Sequence, residues 1–376
     1  MNIPFYRPSV DEKELQEISK VLQISNKSKV IELEDEIKDF LDVKNVISTN
    51  NATAALHLAL SAISLKRADK VLMSVNSFPN IPEVVRHFDA EPIFIDTTID
   101  GLNIDLDKLE AYLEKNNSKK LRAVIVNFVA GEIPDLDKLY EIKEKYNIIV
   151  IEDALNTMGA YYKDKLVGNL KADITAFSMN CANGNISLSN AGFLVINDES
   201  LANRARLLRT HAIESSFDSY GNLDYIYDVV DIGYKYDMTE LEAAFNLAQF
   251  YKVNDFIDRK QEIAKLYIEN LQEVEHISVN QYNDNHLYTQ FIIKIHRNRD
   301  SFARELKQKN ISTGLTYIPL HLLSYYKQKY KLKITAYGNA LTTYGQVLSL
   351  PMYPSLTNEE VLYICNSIKE IAKEWV

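Results

Sequence analysis

With 376 residues, 46% hydrophobic and 25% charged, the sequence can bury a sizeable core and more than one domain, and wholesale disorder is excluded. A formal net charge of −10 without a strong basic run repels nucleic-acid phosphates and anionic membranes, so neither is an expected partner. Cys181 and Cys365 are the only cysteines, too few for a disulfide framework or a clustered metal site. No apolar run approaches the roughly 20 residues that span a bilayer, and the N-terminus lacks a basic region followed by an apolar core; a reducing cytoplasm is the expected setting.

From about Val43 to Val195, short β-branched runs alternate with amphipathic stretches, the pattern of βαβ units around a mostly parallel sheet. The predicted strands are "NVIST", "KVLMS", "PIFID", "RAVIVNF", "NIIVIED", "ITAFSM" and "GFLVIN". Between them, "TAALHLALSAI", "IPEVVRHF", "LDKLEAYLEK" and "LDKLYEIKEKY" carry apolar residues at three- and four-residue spacing and read as helices. A single long helix is expected from Thr239 through "TELEAAFNLAQFYKVNDFIDRKQEIAKLYIENL", opened by a threonine cap with Glu242 three residues on. Strand-like "YTQFIIKIH", helical "RDSFARELKQKN" and a last helix near "NEEVLYICNSIKEIAKEWV" complete a smaller α+β part. The expected division is a large α/β domain over 1–250 and a small domain over 251–376, with the N-terminal segment free to join the latter.

Glycine is scarce, at 11 residues, and no glycine-rich phosphate loop is present. A phosphate must therefore be held otherwise. In "VISTNNATAALHLAL" an apolar strand runs through Asn51, Ala52 and Thr53 into a helix, whose first backbone N–H groups form an anion site; ordinary helix capping accounts for the same residues. "NIIVIED" ends in Glu152 and Asp153, and a carboxylate at the C-terminal end of a parallel strand is placed to meet a ligand, such as the protonated ring nitrogen of a pyridoxal cofactor. Helix capping is the alternative there too. Phe78, past a third strand end, is either a plate for a flat cofactor or core, and Ser178 offers one more hydroxyl. Taken together, these strand ends supply a phosphate cradle, an aromatic plate, an acid and a hydroxyl.

Over nearly its whole length the sequence resembles the DegT/DnrJ/StrS family of pyridoxal-phosphate-dependent sugar aminotransferases. The resemblance is carried by "NATAALHLAL", "PIFIDTTIDGLNID", "VIEDALNTMGA", "YDVVDIGYKYDMTELEAAFNLAQF" and "SLPMYPSLTNEEV". It implies an α/β aspartate-aminotransferase-like fold (fold type I), with a mostly parallel sheet in the large domain and a smaller α+β C-terminal domain. It also implies a homodimer with sites at the subunit interface, and amination of a keto sugar on a nucleotide carrier in surface-polysaccharide or amino-sugar biosynthesis. By position, Asn51, Ala52, Thr53 and Ser178 match phosphate contacts, Phe78 the ring-stacking residue, Asp153 the acid at the ring nitrogen and Asn156 the residue beside the ring hydroxyl. Lys235 lies in the turn that the family brings to the partner's phosphate, and Tyr317 and His321 match positions near the substrate.

One family feature is missing. The family pattern reads approximately FSFxxxKNITTxEGG, with the lysine tethering the cofactor, but here the stretch is "FSMNCANGNISLSNAG". Counting forward puts Asn183 at that place, counting back puts Gly184 there, and no lysine lies between Lys171 and Lys235. An amide or a hydrogen can neither hold the aldehyde nor carry a proton. The resemblance then implies pyridoxal or pyridoxamine phosphate held without a covalent link, with Cys181, His211 or Lys235 as the borrowed base. The alternative is a family member that has lost transamination and persists as a sugar-nucleotide-binding or scaffolding dimer.

Overall fold

Strands buried on both faces need apolar residues at nearly every position, and this is what the central runs supply. In the computed structural model, which describes residues 1–23, 28–155, 157–179, 189–214 and 226–374, they become β1 (Val46–Thr49), β2 (Lys70–Ser74), β3 (Glu91–Ile95), β4 (Leu121–Asn127) and β5 (Ile149–Asp153). A small hairpin, β6 (Tyr161–Tyr162) with β7 (Lys165–Leu166), precedes β8 (Ile174–Ser178) and β9 (Gly192–Val195). The sheet has the order β1-β9-β8-β5-β4-β2-β3 among the described residues. All its strands are parallel except β9, which runs antiparallel between β1 and β8. Side chains alternate between two cores: Val124, Val126 and Val150 enter one, Ala123, Ile125 and Ile151 the other. The fold is that of the type I α/β aminotransferases.

The helix Ala52–Ala62 is alanine- and leucine-rich on every side, and nine of its residues are buried, so it lies inside the second core rather than on it. Past a second hairpin, β10 (Ile213–Glu214) with β11 (Asp228–Val229), the expected long helix is two helices, Glu240–Phe250 and Val253–Leu271. The Thr239/Glu242 capping box forms as expected. The break falls at Tyr251 and Lys252, where the Lys252 side chain is drawn inward to pair with buried Glu14. Helical periodicity runs unbroken through that point, so the sequence pattern carries no sign of it.

Beyond Leu271, β12 (Ile277–Val279), β13 (Phe291–Ile295) and β14 (Val347–Leu350) form a small antiparallel sheet with β13 in the middle. It packs on Val253–Leu271 and Asn358–Lys373 through a third core containing Tyr267, Phe302 and Tyr353. Ile3 bridges Ile311 and is fully buried in this core.

Candidate active site

The C-terminal ends of the parallel strands converge on Asp153. In register, Asn127 of β4 and Ala176 of β8 flank it. Registered neighbours in a parallel sheet project to the same face, and so does Ser178, two residues past Ala176. Glu152 projects to the opposite face, where it accepts from Tyr140 Oη at 2.5 Å and Thr175 Oγ1 at 2.7 Å. That pair of bonds satisfies one carboxylate of the "ED" dipeptide and leaves the other for the site.

Asp153 is 5% exposed, and its Oδ1 has no hydrogen-bond partner among the described residues. Burial pushes its carboxyl up to about 7, opposed only by the Leu155 N–H. Asn127 beside it is also buried; its Nδ2 donates to Asn76 O at 3.1 Å while its Oδ1 is unpartnered among the described residues. Two adjacent buried oxygens without donors on one face are costly unless something brings protons to them. Sequence reasoning passed over Asn127, although the signal that marked Asp153, a polar residue closing an apolar strand, is present in "RAVIVNF".

At the other side of the site β1 leads into the helix Ala52–Ala62. Asn51 is its N-cap and accepts from Ala54 N at 2.8 Å, as capping alone predicts. The N–H groups of Ala52 and Thr53 in the first turn have no acceptor within the helix, and the Thr53 side chain is exposed. Gly192, which pairs with Thr49 and Ser178, presses against this turn: a Cβ there would lie 2.4 Å from Asn51 O. Ser178 is buried and engaged within the protein.

Phe78, just past β2, is 58% exposed, with its ring centroid 6.3 Å from that of Tyr317. Burial and the nearby Asp153 charge both raise the Tyr317 hydroxyl, which therefore stays protonated at neutral pH. The strip carrying Tyr317 is fixed to the sheet by Leu320 N–H donating to Val75 O at 2.9 Å. The carboxyl, the exposed ring and the phenol thus gather in one place, supplied by three distant stretches of sequence.

Other expected residues lie differently. His321 is fully buried against Tyr337, with neither ring nitrogen hydrogen-bonded among the described residues. His211 is exposed in the left-handed region (φ 57°), its N–H held by Tyr234 O at 2.7 Å. Lys235 is exposed and ion-paired with Asp237. Its neighbours Tyr234 and Tyr236 turn the other way and pack on His57, and Tyr236 O accepts from Asn50 N at 2.7 Å. Asn156, Cys181, Asn183 and Gly184 lie outside the described residues.

A buried carboxyl with one oxygen unpartnered among the described residues, gathered with an exposed aromatic ring and a phenol, together with a strand-to-helix turn whose first N–H groups have no acceptor within the helix, fits a pyridine ring carrying a phosphate. Comparison with known proteins agrees, for the profile of the DegT/DnrJ/EryC1/StrS aminotransferase family matches residues 8–369. The chain belongs to that family. Among DegT-family relatives, the spore coat polysaccharide biosynthesis protein SpsC of Bacillus subtilis is 30% identical, covering 99% of this chain and 97% of its own. GDP-perosamine synthase of Escherichia coli O157:H7 is also 30% identical, with 98% of each chain covered. Among solved structures, the PMP-form of the sugar aminotransferase homologue Spr1654 from Streptococcus pneumoniae superposes with a TM-score of 0.91 over 100% of both chains, at 24% identity, which speaks for the fold.

Proposed function

We propose that this DegT-family protein holds pyridoxamine or pyridoxal phosphate without a covalent tether and uses it on a keto sugar, nucleotide-linked as the name of its perosamine-synthase relative suggests. The observation that carries this reading is the buried Asp153 carboxyl, whose Oδ1 has no hydrogen-bond partner among the described residues, gathered with Phe78 and Tyr317. A bound cofactor of this class supplies an electron-withdrawing ring and an exchangeable amino group. Asp153 would hold the ring nitrogen protonated, and Asn127 would accept a second donor beside it. Phe78 would cover one ring face, while Ala52, Thr53 and Ser178 would take the phosphate. Asn156 is assigned to the ring hydroxyl on family grounds.

The absence of any lysine from 172 to 234 supports the untethered mode. A proton would then have to be moved by another group, and Cys181, His211 and a partner subunit's Lys235 stay the candidates, Asn183 and Gly184 being unable to do it. In this chain the Lys235 ammonium is already engaged by Asp237, which favours, as the second reading, a homodimer that binds sugar nucleotide or cofactor without turnover. Titration with pyridoxamine phosphate, followed by ring absorbance, tests the first reading: saturable binding that Asp153→Ala abolishes supports it. Equal binding by Asp153→Ala, or none by the wild type, excludes it.

A further inference from the structure

A second cavity of about 330 Å³ lies between the large sheet's edge and the small sheet, and none of Phe78, Asp153, Ser178 or Tyr317 lines it. Its size falls at the lower end of the roughly 300–1,000 Å³ typical of small-molecule pockets. One wall is the turn after β4, where Ala130 (φ 59°) and Gly131 (φ 87°) are both left-handed. Leu287 N–H and Gln290 N–H, from the C-terminal part, donate to Gly131 O at 3.2 Å and Ala130 O at 3.4 Å. A Cβ at Gly131 would stand 3.1 Å from Thr289 N, and the left-handed backbone there favours glycine at this latch. The next residue, Glu132, faces the cavity from that turn, and Lys294 of β13 faces it from the small sheet.

These two opposite charges share the cavity without pairing. Lys294 Nζ gives one hydrogen bond, to Asp100 O at 2.6 Å, and keeps two donors. The Glu132 carboxylate has no hydrogen bond or salt bridge among the described residues, although burial raises its carboxyl and the Lys294 charge lowers it. Gln290 accepts from Ser349 Oγ through its carbonyl and keeps its NH₂, and Gln281 lines the same cavity. His286 is lowered to about 4 by burial and stays neutral at pH 7.

The ligand chemistry follows by elimination. A phosphate or nucleotide would meet one ammonium against the carboxylates of Glu132 and the exposed Asp100. A neutral sugar ring would leave the opposite charges of Glu132 and Lys294 without counter-charges, and Tyr288 and Phe291, only 5% and 3% exposed, offer it little aromatic surface. A small ligand carrying both charges meets Glu132 and Lys294 at once. We infer that this cleft is a second binding site for a free α-amino acid, with Glu132 receiving the ammonium and Lys294, beside the Gln290 amide, receiving the carboxylate. The occupant would bridge the two sheets and thereby bias their relative placement.

The test is isothermal titration of the full-length protein with the twenty L-amino acids and with ethylamine and acetate as single-charge controls. The expected result is a saturable amino acid that both controls fail to mimic. Glu132→Gln and Lys294→Met should each weaken it at least about tenfold with circular dichroism and melting unchanged, while Asp153→Ala binds as the wild type does. Should Glu132→Gln fail to fold, Lys294→Met alone decides. The inference is overturned if no amino acid binds below about 10 mM, if ethylamine binds as well as the amino acid, or if affinity follows Asp153→Ala and ignores Glu132 and Lys294.

Discussion

Replacing Asp153 with asparagine keeps the shape of the side chain and removes its titration. In the cofactor-free protein the carboxyl sits near 7, against 3.8 when unperturbed. The folded state therefore binds its proton more tightly than the unfolded state, and stability falls as pH rises from about 4 to about 7, levelling off above. At roughly 1.4 kcal/mol per unit the full loss approaches about 4 kcal/mol, less where water reaches the ionised group. Urea denaturation of the two proteins at pH 4.5 and 8 reads this directly. Asp153→Asn should gain roughly 2–4 kcal/mol on the wild type across that interval, and pyridoxamine phosphate, by giving the carboxylate a protonated ring nitrogen, should flatten the wild-type curve. A difference between the two proteins that does not change with pH would refute the assigned burial.

Tyr140→Phe would strip the buried Glu152 of its 2.5 Å donor and should cost about 1–3 kcal/mol in urea denaturation, with the cofactor affinity of the folded fraction unchanged because Glu152 faces away from the site. Gly192→Ala would drive a methyl into Asn51 O, shifting the start of the helix Ala52–Ala62; a stability loss of about 1–3 kcal/mol accompanied by weaker binding of inorganic phosphate and of pyridoxamine phosphate is expected by calorimetry. Phe78→Ala exposes one face of the proposed ring site without touching any core, so pyridoxamine phosphate should bind about tenfold more weakly at unchanged stability.

Much of the sheet is legible in the sequence because strands buried on both faces must be apolar runs, and each run ends where the polar residue appears. "NIIVIED" yields both the strand and Asp153, yet only the structure separates Glu152, satisfied by Tyr140 and Thr175, from Asp153, whose Oδ1 has no partner among the described residues. Asn127 carries the same signal and becomes meaningful only through its register with Asp153. The break at Lys252 depends on Glu14, more than 200 residues earlier, and is invisible to local periodicity. The pairing of Phe78 with Tyr317 joins stretches over 200 residues apart, and only the family resemblance pointed there.

Borohydride reduction of the protein equilibrated with pyridoxal phosphate, followed by intact-mass and peptide analysis, bears most directly on a cofactor cavity lacking a tether. The account predicts saturable, Asp153-dependent binding with no stoichiometric mass fixed to any single lysine. One equivalent of cofactor fixed to one lysine, lost in Asp153→Ala, would contradict it.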